Sequence, residues 1–275
     1  MTNNNIVHGY GAINSSYDIR DYKIHPISTL PDEYSTTKIP VKNQKSESSC
    51  VAHALSVVIE YHYLRCSGLR RVFSTEFIYG LREPGYYIGD GMVIRDALKT
   101  ITKYGDTYTT DCKGNNDYKT AMDHVYNNID TLLDLAAPHK ISAYVKLKTI
   151  EEMKTAIITD GPIIASMNWY NGYKLVDNVY TCDTNNKFGR HCVVIYGWNK
   201  DGWLVQNSWG ASFGDRGRFV VPYSFKFNEV WGIIDNIDDT TLEVIKPSSN
   251  KLIKIYYKVF NRIVNWYIKT FKKEK

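Results

Sequence analysis

Polar loop residues give way to an apolar run at Cys50, where Cys50, Ala54, Val57, Val58 and Tyr61 recur at helical spacing. A helix is expected over 50–66, with Ser48 and Ser49 as its natural capping residues. A second helical stripe, Val93, Ile94, Ala97, Leu98 and Ile101, follows Gly89-Asp-Gly91 and ends at Tyr104-Gly105. A third runs through Met122, Val125, Ile129, Leu132 and Leu133, within 117–135. Thr149-Ile-Glu-Glu152 is a capping box, and it opens a helix that Gly161-Pro162 terminates. Beyond Pro162 the pattern changes to short apolar runs. Residues 162–168 read as a strand, and 191–198, 202–208 and 216–222 read as consecutive antiparallel strands of one sheet. The tight turn Asn199-Lys-Asp-Gly202 joins the first two of that set. Helices first and strands second predict an α+β fold in two lobes with a cleft between them.

Composition changes this picture in three places. A chain of 275 residues, 43% apolar, is long enough to bury a real core in one or two lobes. Five cysteines are too few, and odd in number, for a disulfide framework. Residues 246–275 hold nine Lys/Arg against one Glu, which leaves 25 Lys/Arg against 28 Asp/Glu in residues 1–245. The basic balance therefore belongs to the tail, and nucleic-acid binding by the globular part has little support. In that tail Lys251, Lys254, Lys258, Arg262, Asn265 and Lys269 draw one basic stripe along a helix with apolar residues beside it. It is too charged to span a bilayer, and residues 251–273 suit an anionic membrane surface, an acidic partner, or docking on the protein's own body. No apolar run long enough for a secretory signal occurs in residues 1–30, so an intracellular or virion-packaged protein is expected.

The candidate chemistry starts at Cys50. A thiol on the first turn of a helix feels the positive end of the dipole, which favours thiolate. His191 opens one of the predicted strands and Asn207 closes the next, so their hairpin would bring the two side chains near each other. Gln44, six residues before Cys50, can aim its amide beside the thiol. His53, His62 and Cys66 share the first helix, but two histidines and a thiol lack the further ligands a metal needs, and they read as structural. Cys182 and Cys192 flank a loop and read as thiols rather than a disulfide.

Val41-Lys-Asn-Gln44, Ser49-Cys50, His191 with its apolar strand, Asn207-Ser-Trp-Gly210 and Phe213-Gly-Asp-Arg-Gly217 occur in an order and spacing that resemble the papain-like cysteine proteases. Gly9-Tyr10, Asp18-Ile-Arg-Asp-Tyr22, Leu30-Pro31, the Asp90–Leu98 stretch with Lys103-Tyr-Gly105, and Asp160-Gly-Pro-Ile resemble the bacterial and large-virus branch of that family. Frequent Ile, Asn, Lys and Tyr fit an AT-rich viral or bacterial genome. The resemblance covers roughly 10–237. It implies a papain-like two-lobed fold, helix-rich first and antiparallel-sheet-rich second, and a monomeric thiol endopeptidase acting on polypeptides without metal or cofactor. Cys50 would be the nucleophile, His191 its base, Asn207 the orienting amide, and Gln44 an oxyanion donor. Trp209 would shield the His191–Asn207 bond. Gly91 would bind substrate backbone, although a turn requirement explains the same glycine. The division implied is a leader or strap at 1–29, a catalytic domain at 30–245 and a basic helix at 246–275.

The family's long pro-segment has no counterpart here, so residues 1–29 are expected either to strap the surface or to cover the cleft. Departures from the family pattern are Glu47, Ser48 and Val51 around the nucleophile and Arg190 before the histidine. Glu47 stands where secreted relatives carry a disulfide cysteine, which favours a reducing compartment. Two other readings share these residues: a catalytically quiet papain-fold binding protein, and an acyl transferase or amidase.

Overall fold

Helix α1, Cys50–Ser67, is buried along nearly its whole circumference. Its apolar residues are not confined to one face, as expected of a helix held between layers rather than lying on a surface. Gly68 ends it in the left-handed conformation at φ 70°, donating its N–H to the Leu64 carbonyl. The computed structural model describes residues 9–15, 24–82, 90–112 and 118–234. The basic tail at 246–275, with its stripe at 251–273, lies outside the described residues. None of the described helices is long and apolar enough to cross a membrane.

Around α1 the chain runs β1 (Ala12–Ile13), β2 (Tyr34–Ser35), α1, α2 (Thr75–Gly80), β3 (Met92–Val93), α3 (Ile94–Tyr104), α4 (Tyr118–Asn127) and α5 (Ile129–Ala136). It continues through β4 (Ala143–Leu147), α6 (Ile150–Thr159), β5 (Ile163–Tyr170), β6 (Lys174–Val176), β7 (Val179–Thr181), β8 (Phe188–Asn199), β9 (Gly202–Gln206), β10 (Arg218–Val221) and β11 (Glu229–Ile234). The Thr149 capping box forms, with Glu152 reaching back to the Thr149 N–H at 3.1 Å. The predicted helix at 117–135 is two helices, interrupted at Asn128.

One mixed sheet, ordered β4-β11-β5-β8-β9-β10-β7-β6 with β2 beside β8, forms the second half. The expected antiparallel run β8, β9, β10 is present. Two main cores result. One packs α1 and α3 against β8 and β11, through Leu55, Val58, Ile94, Leu98, Val194 and Trp231. The other lies on the opposite face of the sheet, around Trp169, Trp198, Trp203, Val205 and Phe219. Truncating a fully buried residue such as Leu55 to alanine would cost about 2–5 kcal/mol. This α+β, two-lobed arrangement puts the start of α1 against the middle of β8, where the candidate residues meet.

Candidate active site

Cys50 is the first residue of α1 and is fully buried. Ser49 occupies the N-cap position, but its side chain makes no capping bond. The helix start is therefore held by its surroundings rather than by a serine cap. His191 lies on β8 and Asn207 directly follows β9. The antiparallel register, with Val194 opposite Gln206, brings both to one end of the hairpin. The His191 Nε2–H donates to Asn207 Oδ1 at 2.7 Å, and the Ser208 N–H donates to the same oxygen at 2.8 Å. Two donors on one oxygen fix which way the amide faces, and with it the imidazole plane.

Trp209, itself buried, lies 4.7 Å from the His191 ring at 33°. Trp169 of β5 lies 4.6 Å from Trp209 and 5.5 Å from His191. Sequence reasoning missed Trp169. Its only signal is strand alternation, which sets Met167 opposite His191 and returns Trp169 to the same face.

Gln44 is fully buried and held from several directions. Its backbone N–H donates to the Ser208 carbonyl at 2.8 Å, and its Oε1 accepts from the Ser208 hydroxyl. Its Nε2 donates to the Glu47 carbonyl at 2.6 Å and to the Gly9 carbonyl at 3.0 Å. The loop carrying Gln44 is thus sewn to the loop carrying Asn207, with Gly210 donating to the Lys42 carbonyl at 3.0 Å. Ser208 also escaped the sequence reading. Lys42 is anchored in turn by Glu60 of α1 at 2.7 Å and by the Phe73 carbonyl at 3.0 Å.

Residues 9–15 run along the site. Tyr10 packs over Gly189, with its ring 6.2 Å from His191 and 6.3 Å from Trp209. Gly11 donates its N–H to the Arg190 carbonyl at 3.1 Å and accepts from the Met92 N–H at 2.6 Å. A Cβ on Gly11 would collide with the Ser48 carbonyl oxygen, so only glycine lets this segment lie so close to the nucleophile's loop. The next two residues, β1, pair parallel with β3. Ile27, farther along, donates to Thr155 on α6 at 3.1 Å. The leader thus contacts the cleft at 9–15 and the surface at Ile27.

Gly91 is explained by the same approach. Its φ is not in the left-handed region, so no turn demands glycine there. A Cβ would instead stand 2.6 Å from the Gly11 carbonyl oxygen.

One expectation needs correcting. Burial pushes the Cys50 thiol up to about 11, against N–H donors from Cys192, Gly11, Val51 and its own backbone that lower it. Desolvation thus outweighs the helix start.

The bystanders behave as structural groups. His53 shares a 3.0 Å hydrogen bond with the Ser49 carbonyl and is held neutral by burial, its pKa lowered to about 3. Burial lowers His62 to about 4. Cys66 is exposed. Among the described residues no group of three or more His, Cys, Asp or Glu could hold a metal, and Cys182 and Cys192 form no disulfide.

Residues 31–230 match the papain family cysteine protease domain, and the chain belongs to that family. Xylellain, a cysteine protease from Xylella fastidiosa, superposes with a TM-score of 0.73 at 24% identity, covering 83% of this chain and 97% of that one. An uncharacterized peptidase C1-like protein of Acanthamoeba polyphaga mimivirus is 24% identical over 258 residues, 82% of this chain and 78% of its own. Cathepsin B-like cysteine proteinase 5 of Caenorhabditis elegans is 36% identical over 85 residues, 29% of this chain. The matched region spans about a quarter of the length of that relative.

Proposed function

We propose that this protein is a thiol endopeptidase that hydrolyses polypeptides through Cys50, His191 and Asn207, and that residues 9–15 hold it latent. The observation that carries the reading is the buried 2.7 Å His191–Asn207 hydrogen bond, on a strand whose next residue, Cys192, hydrogen-bonds the Cys50 thiol at the helix start through its backbone. It fixes the imidazole so that Nδ1 takes the Cys50 proton, producing a thiolate–imidazolium pair once water reaches the site. The thiolate attacks the peptide carbonyl, and the developing oxyanion accepts from Gln44 Nε2 and the Cys50 N–H. Imidazolium then protonates the leaving amine, and water hydrolyses the thioester. Asn207 suits the orienting role because a neutral amide accepts the ring N–H without drawing off its proton. No step needs a metal or cofactor.

Latency is supported by the Gly9 carbonyl, which takes the Gln44 amide that a substrate carbonyl would take, and by the burial of the Cys50 thiol, which raises its pKa and leaves it hydrogen-bonded to the Gly11 backbone. The test is hydrolysis of a fluorogenic peptide library by the full chain and by Gly11→Ala, with Cys50→Ala as control. Hydrolysis that survives Cys50→Ala, or its absence from every folded form, would overturn the reading.

A further inference from the structure

The orienting amide of Asn207 has two ends. Its Oδ1 accepts from the His191 Nε2–H and the Ser208 N–H at 2.7 and 2.8 Å. Its Nδ2 is buried and meets no acceptor among the described residues. A buried amide N–H in that position costs about as much as a lost hydrogen bond. The two donors on Oδ1 hold the amide one way round, and the unanswered N–H works against them. Turned over, Asn207 would set its own N–H against the His191 N–H.

Beside Asn207 lies a cavity of about 10 Å³, which Lys42, His53, Ala54 and Val57 also line. That is close to the room one buried water needs. His53 comes from α1 and is buried, with a settled tautomer. The Ser49 carbonyl, 3.0 Å from Nδ1, can only accept, so Nδ1 carries the proton. Burial keeps the ring neutral, its pKa lowered to about 3, so Nε2 is an acceptor. Lys42 directs two of its three ammonium N–H groups to Glu60 at 2.7 Å and to the Phe73 carbonyl at 3.0 Å, and has one more to give.

We infer that this cavity holds one bound water, which joins Asn207 Nδ2 to His53 Nε2 and makes His53 a positioning residue for the orienting amide. The water accepts from the Asn207 Nδ2–H and from the Lys42 ammonium, and it donates to His53 Nε2. Three bonds are the usual complement of a buried water. His53 acts on the reaction through Asn207, by keeping Oδ1 rather than the amide nitrogen toward His191. This rests on the peptidase reading and extends its orienting chain by one residue.

The first test is a crystal structure of the full chain. An ordered water within about 3.2 Å of both Asn207 Nδ2 and His53 Nε2 is expected, and a dry cavity overturns the inference. The second is a double-mutant cycle on kcat and KM with a cleavable peptide, measured in the full chain carrying Gly11→Ala. His53→Phe keeps a ring, removes both nitrogens, and should lower kcat by up to about tenfold at unchanged KM. His53→Gln, which keeps an acceptor near the Nε2 position, should retain most of the rate. Placed in Asn207→Ala, His53→Phe should cause no further loss. A loss of the same size in both backgrounds belongs to packing or to the Ser49 bond and overturns the positioning role, as does no loss in either. Should His53→Phe fail to fold, the water site decides alone. If no folded form hydrolyses any peptide, the peptidase reading falls and the role of His53 with it, whereas a dry cavity in an active enzyme removes the role of His53 alone.

Discussion

The side-chain amide of Gln44 donates to the backbone carbonyl of Gly9 at 3.0 Å, joining a candidate catalytic group to a residue near the start of the chain. In the proposed mechanism a substrate and this segment compete for one donor. Loosening the segment should therefore raise activity, and Gly11→Ala is the smallest change that does so, because its methyl group has no room against the Ser48 carbonyl. Peptide hydrolysis by Gly11→Ala should exceed that of wild type by tenfold or so, since displacing the segment removes a few weak bonds. Equal rates would mean that residues 9–15 do not limit access.

Within the site the roles predict unequal losses. Gln44→Ala should lower kcat about 10²- to 10³-fold, the usual loss for one oxyanion donor. His191→Ala should abolish turnover. Asn207→Ala should leave measurable activity, because Asn207 orients the ring and takes no part in proton transfer. Steady-state kinetics on folded variants would contradict these assignments if Asn207→Ala were as inactive as His191→Ala.

The residues proposed as nucleophile, base, orienting amide and oxyanion donor stand out in the sequence because each sits in a short local motif, and the alternating strands at 191–198 and 202–208 announce their own hairpin. The strand order, with β11 between β4 and β5, was not legible, because pairing between distant segments leaves no local periodic signal. Trp169 and Ser208 escaped for that reason: each reaches the site through cross-strand register or a loop contact. The raised pKa of Cys50 escaped because it depends on how deeply the folded chain buries the thiol, whereas the helix start alone argues for thiolate.

Half-buried Lys42 and buried Glu60 form an ion pair at 2.7 Å. Removing one partner leaves the other's polar group buried, so Lys42→Met should destabilise by about 3–5 kcal/mol in denaturant unfolding. Lys42→Met with Glu60→Leu should recover part of that loss. A single variant as stable as wild type would show that the pair does not hold the loop.

Acid stability should report the buried histidines. Burial lowers His62 from 6.5 to about 4. The unfolded chain takes up that proton near its ordinary value while the native chain refuses it until about 4. Native stability is therefore lost as pH falls through this window, at up to about 1.4 kcal/mol per pH unit. His53 acts in the same direction. Buried Asp106 and Glu60 have raised pKa values and act oppositely, since they keep protons that the unfolded chain releases. The difference between wild type and His62→Gln isolates one group. The variant should lose less stability between pH 6.5 and 4, and parallel pH profiles would contradict the assignment.

The most direct measurement of a latent Cys50 nucleophile is the rate at which each of the five cysteines is alkylated by iodoacetamide at pH 6, mapped by mass spectrometry. Wild type and Gly11→Ala are compared, with exposed Cys66 as the internal reference. In wild type Cys50, covered and raised to about 11, should react more slowly than Cys66. In Gly11→Ala the uncovered thiol can share its proton with His191, and Cys50 should become the fastest of the five, with His191→Ala reversing the gain. A Cys50 that stays slower than Cys66 in folded Gly11→Ala, or gains speed without needing His191, would contradict the account.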